Sequence, residues 1–72
     1  MDELTAREID VVRLLVRGFG DKEIAAQLRI SVATIRGHMG VVKLKLRAHS
    51  GAEVAAIAVR NRIVELPVDD DA

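Results

Sequence analysis

Residues 21–46 read DKEIAAQLRISVATIRGHMGVVKLKL, and how this stretch folds decides the architecture. Its opening segment, DKEIAAQL, places Ile24, Ala25 and Leu28 at helical spacing, a short amphipathic helix. Only Arg29 and Ile30 separate it from Ser31, a residue type suited to capping the helix that follows. Beyond Ser31, Ile35, Met39, Val42 and Leu46 recur on one face, so a longer helix runs to about Leu46 or Arg47. Two helices joined so tightly must cross steeply, which is the geometry of a helix-turn-helix. The second helix of such a unit fits the DNA major groove, and the first crosses the backbone above it. Both helix starts, near Lys22 and near Ser31, offer free amides to phosphates. Gly37 and Gly40 fall inside the longer helix, where each costs about 1 kcal/mol relative to Ala.

The flanking sequence adds two more helices. Thr5 and Glu8 form a capping box for the first, whose Leu4, Val11, Val12 and Leu15 keep the helical period. The run RGFGD, residues 17–21, ends it through Gly18 and Gly20, and Asp21 is expected to cap the second helix. Ser50 and Glu53 form another capping box for a fourth helix, with Val54, Ala55, Ala58 and Ile63 facing inward. No strand candidate of useful length and no internal repeat is present. The expectation is an all-α, four-helix helix-turn-helix domain over residues 1–66, followed by an acidic, disordered tail at 67–72.

Composition narrows the function. The 72 residues suffice for one domain, with a core near the lower limit for folding alone. With Phe19 the lone aromatic, that core must be built from Leu, Ile, Val and Ala. The absence of cysteine agrees with a reducing cytoplasm, and two histidines without cysteine do not make a structural zinc set. No uncharged run exceeds Val54–Val59, too short for a bilayer, and no leader precedes the first helix. The expected location is therefore the cytoplasm. Nucleophile, base and orienting group cannot be assembled from these residues, so neither an enzyme nor a cofactor is expected.

Net charge is zero, but the charges are segregated. No acid lies between Glu23 and Glu53, whereas Arg29, Arg36, Lys43, Lys45 and Arg47 do, with His38 and His49 beside them. Acids gather at the start and in the tail. Steering depends on the local field rather than the sum, and a basic middle suits an anionic ligand. His38, next to core residue Met39, reads as a packing histidine rather than a ligand or base.

The phrases LTARE (4–8), KEIA (22–25), IS (30–31) and TIRGH (34–38), with Lys45-Leu46 seven residues beyond His38, resemble the LuxR/FixJ-type DNA-binding domain of bacterial transcription regulators. The resemblance covers about residues 4–64. It implies a DNA-reading third helix, a homodimer contact through the fourth, and a place as the output half of a larger protein, most often a response regulator. RNA polymerase is a further partner it suggests. Carried over by position, Lys22 and Lys45 contact phosphate, and Ser31, Thr34 and Arg36 belong to the DNA contact around the start of the third helix. The usual base-reading positions fall at Arg36, Gly37 and Gly40, with Val41 adjoining. Ala52, Ala56 and Val59 are the candidate dimer face, off the core stripe of the fourth helix.

Departures from the family pattern are equally specific. Two base-reading positions are glycines, which offer no side chain. Position 43, commonly apolar, is Lys; position 44, commonly polar, is Leu and should be exposed. The family's glycine before the last loop is Arg47, its arginine at the start of helix four is Gly51, and its late glycine is Arg62. The glycines allow close backbone approach to the bases, specificity resting on Arg36 and DNA shape, or weakened DNA affinity. A protein-interaction bundle that keeps the fold is the alternative function, resting on Leu44 and the Ala-rich fourth helix.

Overall fold

The computed structural model describes residues 3–66. The expected tail at 67–72 lies outside them. Four helices follow in order: α1 (Ala6–Val16), α2 (Asp21–Leu28), α3 (Val32–Leu46) and α4 (Gly51–Arg60). No strand occurs among the described residues. α3 packs on α2, α1 and α4, and α1 packs also on α4 and α2, so α3 is held by all three other helices while one face stays free.

The helix starts follow local chemistry. Thr5 Oγ1 accepts the Glu8 N–H at 3.2 Å, and Glu8 Oε1 accepts the Thr5 N–H at 2.8 Å, closing the expected capping box. Ser31 caps α3, its hydroxyl accepting the Thr34 N–H at 3.0 Å. Ser50 caps α4 by accepting the Glu53 N–H at 3.1 Å; no reciprocal bond from Glu53 is found among the described residues. One expectation is corrected. The cap of α2 is Gly20, not Asp21, which forms the first residue of the helix itself. Glu23 reaches back to accept the Gly20 N–H at 3.0 Å.

The ends share one device. After α1, Phe19 N–H bonds Leu14 O and Gly18 N–H bonds Leu15 O, around Gly18 at φ 96°. After α3, Ala48 N–H bonds Lys43 O and Arg47 N–H bonds Leu44 O, around Arg47 at φ 56°. After α4, Ile63 N–H bonds Ala58 O and Arg62 N–H bonds Val59 O, around Arg62 at φ 57°. α2 ends alike, Ile30 N–H bonding Ala25 O beyond Arg29 at φ 58°. This is the Schellman pattern, in which a left-handed residue is followed by an apolar one that folds back onto the helix. Glycine is the usual left-handed residue; here arginine takes three of the four positions.

The core consists of Val11, Val12, Ile24, Ala25, Ile35, Met39, Val42, Leu46, Ala48, Val54, Ile57, Ala58 and Val64. On α4 the buried residues are Val54, Ile57 and Ala58; Ala55 is only half-buried, a second correction. Ile57 lies one turn beyond Val54 and supplies the bulk that Ala55 lacks. Among the described residues no helix is long and apolar enough to cross a membrane.

Candidate nucleic-acid interface

Most of the expected site residues stand on α2, on α3 or at the start of α3. Lys22, Ser31, Thr34, Arg36, Gly37, Gly40 and Val41 are all exposed. At the start of α3, Ser31 Oγ donates to Thr34 Oγ1 at 2.9 Å while accepting the Thr34 N–H. The Thr34 hydroxyl proton therefore remains available, and the cap bond fixes where it can point. The first amides of α3, on Val32 and Ala33, precede the helical ladder, which starts with Ile35 N–H to Ser31 O at 3.1 Å. α2 has no side-chain cap, so its first amides are likewise uncommitted. Both helix starts thus present donors and the positive end of a dipole.

Arg36 stands on the edge of α3 facing α2. Its Nε lies 3.5 Å from Asp21 Oδ2, with the side chain 70% exposed. A pair this exposed contributes little stability. Asp21 stands on the Nε side, and the terminal amino groups have no partner among the described residues. An arginine oriented in this way can fork onto the paired acceptors of guanine. Lys43 and Arg47 follow Arg36 at helical spacing along the same edge, and Arg36 and Lys43 share a hollow with Asp21 and Gly51. Neither Lys43 nor Arg47 was among the expected site residues, although the 36–43–47 spacing is visible in the sequence.

Lys45 is engaged within the fold. Its ammonium sits 2.7 Å from Glu8 Oε1 and 3.2 Å from Glu3 O, with its side chain only 20% exposed and that of Glu8 6%. These contacts tie α3 to the start of α1. The reason is rotational: two residues past Lys43, the chain has turned to the α1 side of α3. The Lys45 ammonium, and secondarily the Thr5 N–H, hold the Glu8 carboxyl below its usual range, against the opposing effect of burial.

Gly37 and Gly40 have no packing role among the described residues. A Cβ built at either position meets nothing within 4 Å. Leu44, 81% exposed, and Val41, 42% exposed, continue this outward face, as expected for Leu44. His38 is half-buried, in keeping with a packing role.

The candidate dimer residues lie on α4. Ala52 and Ala56 are exposed and Val59 is half-buried. Ala56 and Val59 join Val16, Ala55, Arg60 and Leu66 around a shallow apolar groove between α4 and the end of α1. Ala52 does not line it.

Comparison with known proteins gives this geometry a family. The family described as bacterial regulatory proteins, luxR family (GerE), matches residues 2–58. The oxygen regulatory protein NreC of Staphylococcus aureus is 34% identical over 62 residues, covering 86% of this chain and 29% of NreC. The crystal structure of ChrA, a response regulator in a heme-sensing two-component system, superposes with a TM-score of 0.85 at 30% identity, covering 89% of this chain and 32% of ChrA. The VqmA dimer of Vibrio cholerae, described among LuxR-type receptors, superposes with a TM-score of 0.79 at 32% identity, covering 82% of this chain and 27% of VqmA. The chain spans about a third of the length of these proteins. With its tightly joined α2–α3 pair, its capped recognition helix and a match over most of its length, the chain belongs to the luxR family of bacterial regulatory proteins, as the DNA-binding helix-turn-helix domain.

Proposed function

We propose that this domain is the output module of a bacterial transcription regulator of the response-regulator kind, placing α3 in the major groove and α2 across the adjacent backbone. The observation that carries the reading is the tightly joined α2–α3 pair, with two uncommitted helix starts and exposed Lys22, Thr34 and Arg36. Lys22, the Ser31–Thr34 cap and the amides behind it hold phosphates. Arg36, steadied by Asp21, addresses a base. Phosphate contacts position the domain, and contacts on α3 choose the sequence. Lys43 and Arg47 extend the cationic edge to the far end of α3. Residues 1–66 make up the module, and its working place is the cytoplasm.

Paired half-sites follow from dimerisation through α4, where Ala52, Ala56 and Val59 allow close approach of a second copy. One short helix face falls below the usual size of a stable interface, so the domain alone stays monomeric until DNA aligns two copies. RNA polymerase is the further partner in activation. The test is anisotropy titration of labelled duplex DNA at several salt concentrations. Counterion release gives a steep salt slope for a phosphate-gripping domain, and a flat slope or no binding refutes the reading.

A further inference from the structure

We propose that α3 reads its operator by apolar contact with thymine methyl groups, with Val41 as the principal reader. This rests on the DNA-binding reading above and adds the class of site: T-rich tracts, bordered by a guanine that Arg36 addresses.

Opposite the buried row of Ile35, Met39, Val42 and Leu46, the helical period places Ala33, Gly37, Gly40 and Leu44, with Val41 beside them. None of these side chains can donate or accept a hydrogen bond. Of the polar side chains of α3, only Thr34, two turns before Val41 at the helix start, shares the azimuth of that face. Thr34 is bonded to Ser31, Arg36 is on the edge with Asp21, His38 and Lys43 are half-buried, and Lys45 is tied to Glu8. The face directed at a major groove is therefore apolar over more than two turns, and Val41 and Leu44 are among its exposed large hydrophobic residues.

The fold does not demand this composition. Side chains at 37 and 40 would enter open space, so the glycines weaken the helix without improving any contact among the described residues. Their effect is felt by whatever lies against α3. Without Cβ atoms at two successive turns, the helix backbone can sit closer to a groove floor, which brings the adjoining Val41 isopropyl group within reach of base edges. The major-groove floor carries many donors and acceptors but one apolar group, the C5 methyl of thymine. A G·C pair under this face loses water and gains no partner, which is penalised. A thymine methyl under Val41 is favoured by the same exclusion of water.

The experiment selects bound sites from random duplexes using the 72-residue chain, then replaces the selected thymines one at a time with deoxyuridine, which lacks only the methyl. The expected result is a T-rich consensus in which one or two replacements each weaken binding about threefold to fourfold. Val41→Ala, shown to be folded by circular dichroism, should bind thymine and deoxyuridine duplexes alike. Salt-dependent, sequence-selective binding that is indifferent to the methyl overturns the inference and leaves the DNA-binding reading intact. Absence of salt-dependent binding to any duplex overturns both.

Discussion

Replacing Lys45 with methionine separates a structural lysine from a DNA-contacting one. Methionine keeps most of the apolar stem and removes the charge, so packing changes little. What changes is Glu8. Its carboxylate, 6% exposed, loses the ammonium at 2.7 Å and keeps the Thr5 N–H at 2.8 Å. Removing one partner of a buried ion pair costs about 3–5 kcal/mol, because the remaining charge is left without compensation. The surviving Thr5 bond and the partial exposure of Lys45 place this case lower, at about 2–3 kcal/mol. A small domain has few kcal/mol to lose, so the shift in urea midpoint should be plain by far-UV circular dichroism.

The pH dependence adds a second readout. The folded-state pKa of Glu8 is lowered, first by Lys45 and then by the Thr5 N–H. A depressed carboxyl stabilises the fold above its unfolded value, about 4.3, and that contribution is lost as pH falls through the lower folded value. Wild-type stability should therefore drop on acidification below about pH 4.3. Lys45→Met should start lower at neutral pH and lose less on acidification, so the two converge in acid. Glu8→Gln combined with Lys45→Met closes a double-mutant cycle and isolates the pair. A loss under about 0.5 kcal/mol, parallel pH profiles and a DNA salt slope reduced by about one would refute this account and restore Lys45 as a phosphate contact.

Arg47→Gly should raise stability by about 0.5–1 kcal/mol, since glycine adopts the left-handed conformation at φ 56° without the Cβ penalty; a thermal melt that moves down counts against the Schellman reading. Arg36→Ala should cost about 1–3 kcal/mol of DNA affinity and relax preference at one base position, whereas uniform weakening across operators would make it a phosphate contact. Asp21→Asn should give a milder version of the same loss of preference if Asp21 orients Arg36, and operator profiling on both variants checks the pairing. Val59→Asp should abolish cooperative binding to paired half-sites while leaving single half-site affinity unchanged, and persistence of cooperativity in a gel-shift titration would exclude the α4 dimer.

Much of the fold was legible because it is local. Thr5, Ser31 and Ser50 each cap a helix through a bond three residues away, so sequence spacing carries the signal directly. The core row Ile35, Met39, Val42 and Leu46 was equally plain, since burial and helical period coincide there. The helix ends were harder. Expecting glycine after each helix finds Gly18 and passes over Arg29, Arg47 and Arg62, although each is followed by an apolar residue, as the Schellman motif requires. Asp21 was misplaced by one position because aspartate is favoured both at a cap and in the first turn, and Gly20 has no side chain to announce itself.

The placement of the candidate site residues was legible where one helix decides it and obscure where two helices meet. Lys43, Leu44 and Lys45 alternate in charge, and sequence alone offers both lysines to the solvent. Leu44 declares itself by falling opposite Ile35, but Lys45 finds its partner across a separation of 37 residues. Glu8 was already accounted for by the capping box, which hid its second role. The same Oε1 accepts from Thr5 N–H and from Lys45 Nζ, so one oxygen starts α1 and fastens the last turn of α3 to it. This part-buried tie adds to the packing of Met39, Val42 and Leu46 in fixing the far end of α3 on the bundle. Inside the fold that cation helps set how α3 is presented, while Lys22 and Arg47 stay exposed.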